Sequence, residues 1–170
     1  AYMEDFAEEM PNLQKVLDYF GLTIEKGLVM EGDSSMYYQQ PAYLLPDVAY
    51  DTLTKGISGE KYIFMPYAQG IRSEEKEDVT LTPLLTSSEA SYSKLNMNQA
   101  QNYEKEDGDA EGPFDVGIHA EKKLEEGTAG LTLFTSENLF TDNANSMVAD
   151  ANLTLFTNTV ASMSDSKESV

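Results

Sequence analysis

GPFDVGIHAEK, Gly112–Lys122, is the stretch on which the reading of the fold turns. Phe114, Val116, Ile118 and Ala120 alternate with polar or small residues, the period-two pattern of a strand with one apolar side. Downstream, Leu131–Phe134 follows Gly127 and Gly130 and reads as a second strand. Upstream, Val79–Leu85 is another strand, in which Pro83 argues for an edge or a late break. Tyr62–Met65 is a compact apolar strand stopped by Pro66, and Leu22–Met30 is a β-like run weakened in its middle by Gly27.

Helical periodicity marks the two ends of the chain. Leu13, Val16, Leu17 and Phe20 recur at helical spacing, with Pro11 suited to the first turn and Gly21 to the stop. Tyr2, Phe6 and Met10 suggest an earlier turn broken at Pro11. Leu153, Phe156, Val160 and Met163 repeat in the same way behind Asn152, a suitable N-cap, which predicts a closing helix over 152–163. Tyr50–Ile57 reads as one helical turn closed at Gly56, and Ser87–Asn98 has modest helical character. The 31–46 segment, rich in Gly, Ser, Gln, Tyr and Pro, reads as a long surface loop, with Met36, Tyr37, Tyr38 and Tyr43 as a binding lip or as aromatics pinning the loop. Asn102–Gly112 reads as a mobile polar loop. Residues 1–163 then form one domain and 164–170 a polar tail or linker.

Strands separated by helices and long connections predict an α/β fold with a layered, largely parallel sheet flanked by helices. In such a sheet ligands sit beyond the carboxyl ends of the strands, here the segments 66–72, 86–88, 121–123 and 135–142.

Composition narrows the function. Eleven Lys and Arg against 30 Asp and Glu give a net charge of −19, which repels nucleic-acid phosphates and anionic lipid alike. The absence of cysteine removes thiolate nucleophiles, disulfides and Cys-ligated metals. No apolar run is long enough to span a bilayer, and the first residues lack the pattern of a signal peptide, so targeting segments are expected outside this stretch.

The order of segments resembles a family of ABC-type transport auxiliary components related to the gliding-motility protein GldG. The resemblance runs through PNLQKVLDYFGLTIEKGLVME (11–31), YDTLTKGI (50–57), YIFMPYAQGI (62–71), LTPLLTSSEAS (81–91), GPFDVGIHAEK (112–122) and the closing LTLFTSENLFTDNANSMVADANLTLFTNTVASM (131–163). It implies a flavodoxin-like or class I glutamine-amidotransferase-like domain on the extracytoplasmic face of the membrane, anchored by segments outside this chain and partnered by an ABC permease and ATPase. The family's opening strand and helix are not found before Tyr2, so the sheet is expected to be incomplete there. The family's Gly-Asp-Ser-like motif is represented by Thr135, Ser136 and Glu137, and Asn138, Asp142 and Asn152 match its polar positions before the last helix.

These readings make Ser87, Ser136, Glu137, Asn138 and Asp142 the candidate ligand-binding residues, set against ordinary roles in turns and caps. No catalytic residue, metal or cofactor is assigned. His119, the single histidine, sits inside a strand without a nucleophile elbow. Asp107, Asp109, Glu111 and Asp115 imitate the spacing of a calcium loop with Gly112 at its sixth place, but Ile118 replaces the bidentate glutamate. No phosphate-cradling or dinucleotide-binding glycine motif occurs, and the acid pairs Glu8/Glu9, Glu74/Glu75 and Glu125/Glu126 read as solvated faces. The expected function is non-catalytic binding of a partner subunit or a small ligand such as a saccharide. The alternatives are a degenerate hydrolase on an amidotransferase-like scaffold and a structural spacer.

Overall fold

The computed structural model describes residues 10–96 and 103–165. In chain order, α1 (Pro11–Tyr19) is followed by β1 (Leu22–Ile24), β2 (Leu28–Met30), β3 (Tyr43–Leu44), β4 (Asp47–Val48), β5 (Met65–Pro66) and β6 (Ile71–Ser73). Then come β7 (Val79–Thr86), β8 (Tyr92–Lys94), β9 (Ala110–Glu111), β10 (Asp115–Lys123), β11 (Thr128–Phe134), α2 (Asp142–Met147) and α3 (Ala151–Asp165).

The main sheet runs β1-β6-β10-β7-β4, with β11 also paired to β10. Smaller sheets join β2-β8-β9 and β3-β5. Every pairing is antiparallel. This overturns the expected α/β fold with a parallel, flavodoxin-like or amidotransferase-like sheet. Parallel neighbours need a crossover, usually a helix. Here the described helices lie at the two ends of the chain, and the long internal connections that suggested crossovers contain turns and short strands. Tyr50–Ile57 closes as turns, with Ile57 N donating to Thr54 O at 3.0 Å. Within the segment expected to be helical over 87–98, Tyr92–Lys94 is instead β8.

β10 is the central strand the sequence predicts. Its pairing with β7 carries register shifts on either side of Gly117. Asp115 opposes Thr86 and Gly117 opposes Leu85, leaving Val116 as the extra residue. Ile118 opposes Pro83, leaving Leu84 as the extra residue on β7. Such bulges turn a strand locally, and the apolar residues divide accordingly. Phe114 and Val116 join the larger core with Leu84, Leu85, Leu139, Ala151 and Leu155, whereas Ile118 and Ala120 join a second core with Leu17, Phe20, Leu22 and Ile71. Pro83 sits at the bulge, beyond the two residues of β7 that pair with β4, so its missing N–H breaks no ladder.

Leu22–Met30 divides at Gly27 (φ 83°) into β1 and β2, which enter different sheets. Both terminal helices form where periodicity predicts, but their apolar faces are rotated. α1 buries Gln14 and Leu17, followed by its buried C-cap Phe20, and leaves Leu13 and Val16 exposed. α3 buries Ala151, Asn152, Leu155 and Thr159. Tyr2, Phe6 and most of the polar tail lie outside the described residues. The 102–112 segment, expected to be mobile, is tied down from residue 103 onward. Lys94, 1% exposed, donates to Glu104 O at 2.7 Å and lies 3.4 Å from Glu106 and 3.7 Å from the buried Asp109 carboxylate.

Candidate functional site

The 31–46 loop begins on a buried carboxylate. Glu31 Oε1 accepts from Asp33 N at 2.9 Å and from Ser88 Oγ, and its Oε2 accepts from Ser88 N at 3.0 Å. Two residues on, Asp33 Oδ1 accepts from the backbone N–H and the hydroxyl of Ser35, and these bonds lower the Asp33 carboxyl below its ordinary range. The loop then folds back on itself. Tyr38 N donates to Tyr43 O at 2.9 Å, β3 pairs with β5, and Gln39 is held at φ 61°.

This hairpin presents four aromatic rings to one cleft. Tyr38 and Tyr43 meet Phe64 at 6.2 and 5.5 Å between centroids, and Tyr43 meets Tyr67 at 5.4 Å, all close to perpendicular. Tyr67 Oη donates to Tyr43 Oη at 3.3 Å. Behind them Gln40 Nε2 donates to Tyr67 Oη at 3.4 Å, and Tyr103 Oη donates to Gln40 Oε1 at 2.5 Å. The hydrogen bond to Tyr67, followed by burial, pushes the Tyr43 phenol above its ordinary value of 10.0, so it is neutral throughout the physiological range.

The opposite wall comes from the turn before α2 and from α2 itself: Asn138, Thr141, Asn143 and Met147. Thr141 caps the helix by accepting from Ala144 N at 3.3 Å, which fixes the wall's pitch. Between the walls lies a cleft of about 400 Å³ in which no lining residue is charged. Gln39 and Tyr67, two of the four described non-glycine residues in the left-handed region, both line it. Such backbone costs about 1–3 kcal/mol per residue and gathers where a structure holds side chains for a ligand. A wider hollow of about 630 Å³ flanks the same loop, with Met36, Tyr50 and Tyr62 in its lining. It mixes in Asp47, Glu60 and Lys61 and holds none of those left-handed non-glycine residues.

Of the five residues predicted to bind ligand, Asn138 lines the cleft. Ser136 stands one layer behind: its Oγ donates to Pro66 O at 2.5 Å and accepts from Asn138 N at 3.2 Å, locking the two walls together. Glu137 and Asp142 are exposed and do not line the cleft. Ser87 is buried, its Oγ accepting from Phe114 N at 2.8 Å and sharing a bond with Ser91 Oγ at 2.8 Å, so it serves packing. Tyr38 and Tyr43 of the predicted lip do reach the cleft. Phe64, Tyr67, Thr141 and Asn143 were not singled out as ligand contacts. The available signal was the aromatic spacing of YIFMPY, which is indistinguishable from a core strand until the hairpin folds over it.

The remaining candidates are engaged elsewhere. His119 Nδ1 shares a hydrogen bond with Thr132 Oγ1 at 2.8 Å across the β10–β11 pair. Asp109 accepts from Leu95 N and Glu106 N, Glu111 pairs with Lys105 at 2.5 Å, and Asp115 accepts from Thr86 Oγ1 at 3.1 Å.

No family model matches the chain, and no curated protein matches it. Among solved structures, the chain is similar to one described as "mmIFT52 N-terminal domain", with a TM-score of 0.55 at 12% identity over 90% of this chain. The match covers 58% of that structure's chain. At this identity the likeness speaks for the fold alone.

Proposed function

We propose that this domain binds a neutral, polyhydroxylated small ligand, a mono- or oligosaccharide, in the tyrosine cleft, without transforming it. The observation that carries the reading is the cleft's lining: aromatic rings, amides and a hydroxyl with no charge, in a chain carrying −19. Aromatic faces match the C–H faces of a sugar ring, and Asn138, Asn143, Gln39 and Thr141 offer donors and acceptors in both senses. An anionic ligand would meet the acidic field and find no cation in the lining. Of the side chains that serve general acid–base chemistry, the lining offers tyrosine phenols alone, with no carboxylate, imidazole or amine beside them to activate a nucleophile. The transport setting, with an ABC permease and ATPase as partners at the extracytoplasmic face, belongs to the same proposal and rests on the order of sequence segments.

Calorimetric titration with a panel of neutral, acidic and amino oligosaccharides tests it. Neutral members bind, and Tyr43→Ala and Asn138→Ala each weaken binding about tenfold or more, equivalent to roughly 1.4 kcal/mol. No heat with any neutral saccharide, together with tyrosine emission unchanged on addition, would refute it. The chain has 10 tyrosines and no tryptophan, so that emission is not masked.

A further inference from the structure

The tyrosine cleft and the wider hollow beside it share one face of the hairpin. Leu44, Ile63 and Met65 point into the core. The residues alternating with them face outward and divide between the two spaces: Tyr43, Phe64 and Pro66 line the cleft, whereas Leu45 and Tyr62 line the hollow. The segment running alongside repeats the arrangement. Tyr38 N donates to Tyr43 O at 2.9 Å and Leu45 N donates to Met36 O at 2.8 Å, which sets Tyr38 beside Tyr43 in the cleft and Met36 beside Leu45 in the hollow. The two spaces therefore follow one another along a single strand direction. The far end of this face carries two rings, Tyr50 and Tyr62, 87% and 66% exposed, the highest values among the large hydrophobic side chains described. The Tyr50 hydroxyl lies against Gly59, where any side chain would collide with it. Asp47, Glu60 and Lys61, all exposed, stand around the two rings.

We propose that the hollow is a second sugar subsite and that the ligand is a neutral oligosaccharide lying across both spaces, too long to be a single sugar. The inference rests on the saccharide reading of the cleft and adds to it the length of the ligand and the residues that measure that length. Tyr43 opposes Pro66, and Tyr62 precedes Pro66 by four residues, so a ligand touching both tyrosines spans about 13 Å of extended chain. That distance exceeds one sugar ring. Tyr50 and Tyr62 offer aromatic surface to the C–H faces of the outer units, while their phenols, the Asp47 and Glu60 carboxylates and the Lys61 amine offer acceptors and donors to the hydroxyls. The uncharged cleft takes the unit that fixes orientation, and the wider hollow takes units whose outer hydroxyls stay in water. Two acids against one amine in the hollow disfavour an acidic unit there as well. Each added unit brings its contacts without a second loss of translational freedom, so affinity climbs with chain length until the hollow is filled.

Calorimetric titration with linear β-linked glucose, mannose and xylose oligomers, each as a series from monomer to hexamer, reads this directly. In a series that binds, affinity should rise about tenfold or more between the shortest members and the tetramer, then level off. Tyr62→Ala should remove most of that rise and Tyr50→Ala part of it, with melting curves like that of the unaltered protein, because both side chains stand mostly in water. Tyr43→Ala should weaken binding at every length. Affinity that does not change with length, or a rise that survives Tyr50→Ala and Tyr62→Ala combined, overturns the extended site and leaves the cleft reading standing. If no member of any series binds, both readings fall.

Discussion

Replacing Asn152 by Ala removes an acceptor and two donor bonds at once. Its Oδ1 accepts from Phe64 N at 3.2 Å, and its Nδ2 donates to Phe64 O at 2.8 Å and to Leu139 O at 2.7 Å, all buried. The amide thus acts as a strand-like partner for the residue at the back of the cleft. Asn152→Ala should cost about 3 kcal/mol or more in a denaturant melt. Asn152→Asp should cost at least as much, because a carboxylate cannot donate to two carbonyls. Gly117 is constrained by space: an added Cβ would lie 2.9 Å from Phe134 and 3.1 Å from Leu85, at the bulge. Gly117→Ala should destabilise by about 1–3 kcal/mol. Burial raises the Asp115 carboxyl above its ordinary 3.8, although the Thr86 hydroxyl pulls it down. A raised folded-state value means stability present below pH 3.8 and lost as pH rises through the folded value. Asp115→Asn should therefore raise the melting temperature at pH 7, with the difference closing below about pH 3. A lower melting temperature for the variant at pH 7 would contradict this. Asn152 shows what the sequence could say at this scale: its place near a helix start was legible, but its inward direction was not, because capping and clamping use the same amide.

Period alone places β10, β11, α1 and α3 close to where they lie, but not the strand expected over Tyr62–Met65: only Met65 and Pro66 pair, as β5, so Pro66 belongs to the strand it was expected to stop. The faces of the helices were less readable. Leu153, Phe156 and Val160 look like a buried stripe, yet Ala151, Asn152, Leu155 and Thr159 pack inward, since a small residue and satisfied polar groups fit beneath the helix. Strand direction was unreadable, because a long connection looks alike whether it crosses over as a helix or returns as a loop. The β8–β9 element makes the same point about charge. Its run of acids suggests a loose loop or a weak cation site, but Lys94 turns it into an anchor. Lys94→Met leaves Asp109 buried without its cation and should cost about 3–5 kcal/mol, with faster amide exchange over 103–111. Adding Asp109→Asn should recover part of that loss, because the uncompensated charge disappears. Equal stability of the single and double variants would count against the pair as the anchor.

Across the whole molecule, 30 acids against 11 bases leave an excess that the ion pairs cannot absorb. Arg72–Glu25 at 2.6 Å and Lys122–Asp78 at 2.5 Å are local gains at or near the surface, where such pairs contribute little. The hydrogen bond from Lys122 lowers the Asp78 carboxyl, and that from Lys105 lowers Glu111. A lowered folded-state value gives stability present above the ordinary carboxylate range and lost only as pH falls through the folded value. Salt weakens these few pairs and the many repulsions together, and the repulsions outnumber the pairs. The melting temperature should therefore rise by a few degrees between about 10 and 300 mM NaCl. Scanning calorimetry at fixed low protein concentration separates this from self-association, which is a mass-action effect and fades on dilution. A melting temperature that falls with salt on dilute protein would mean that the surface pairs outweigh the net charge.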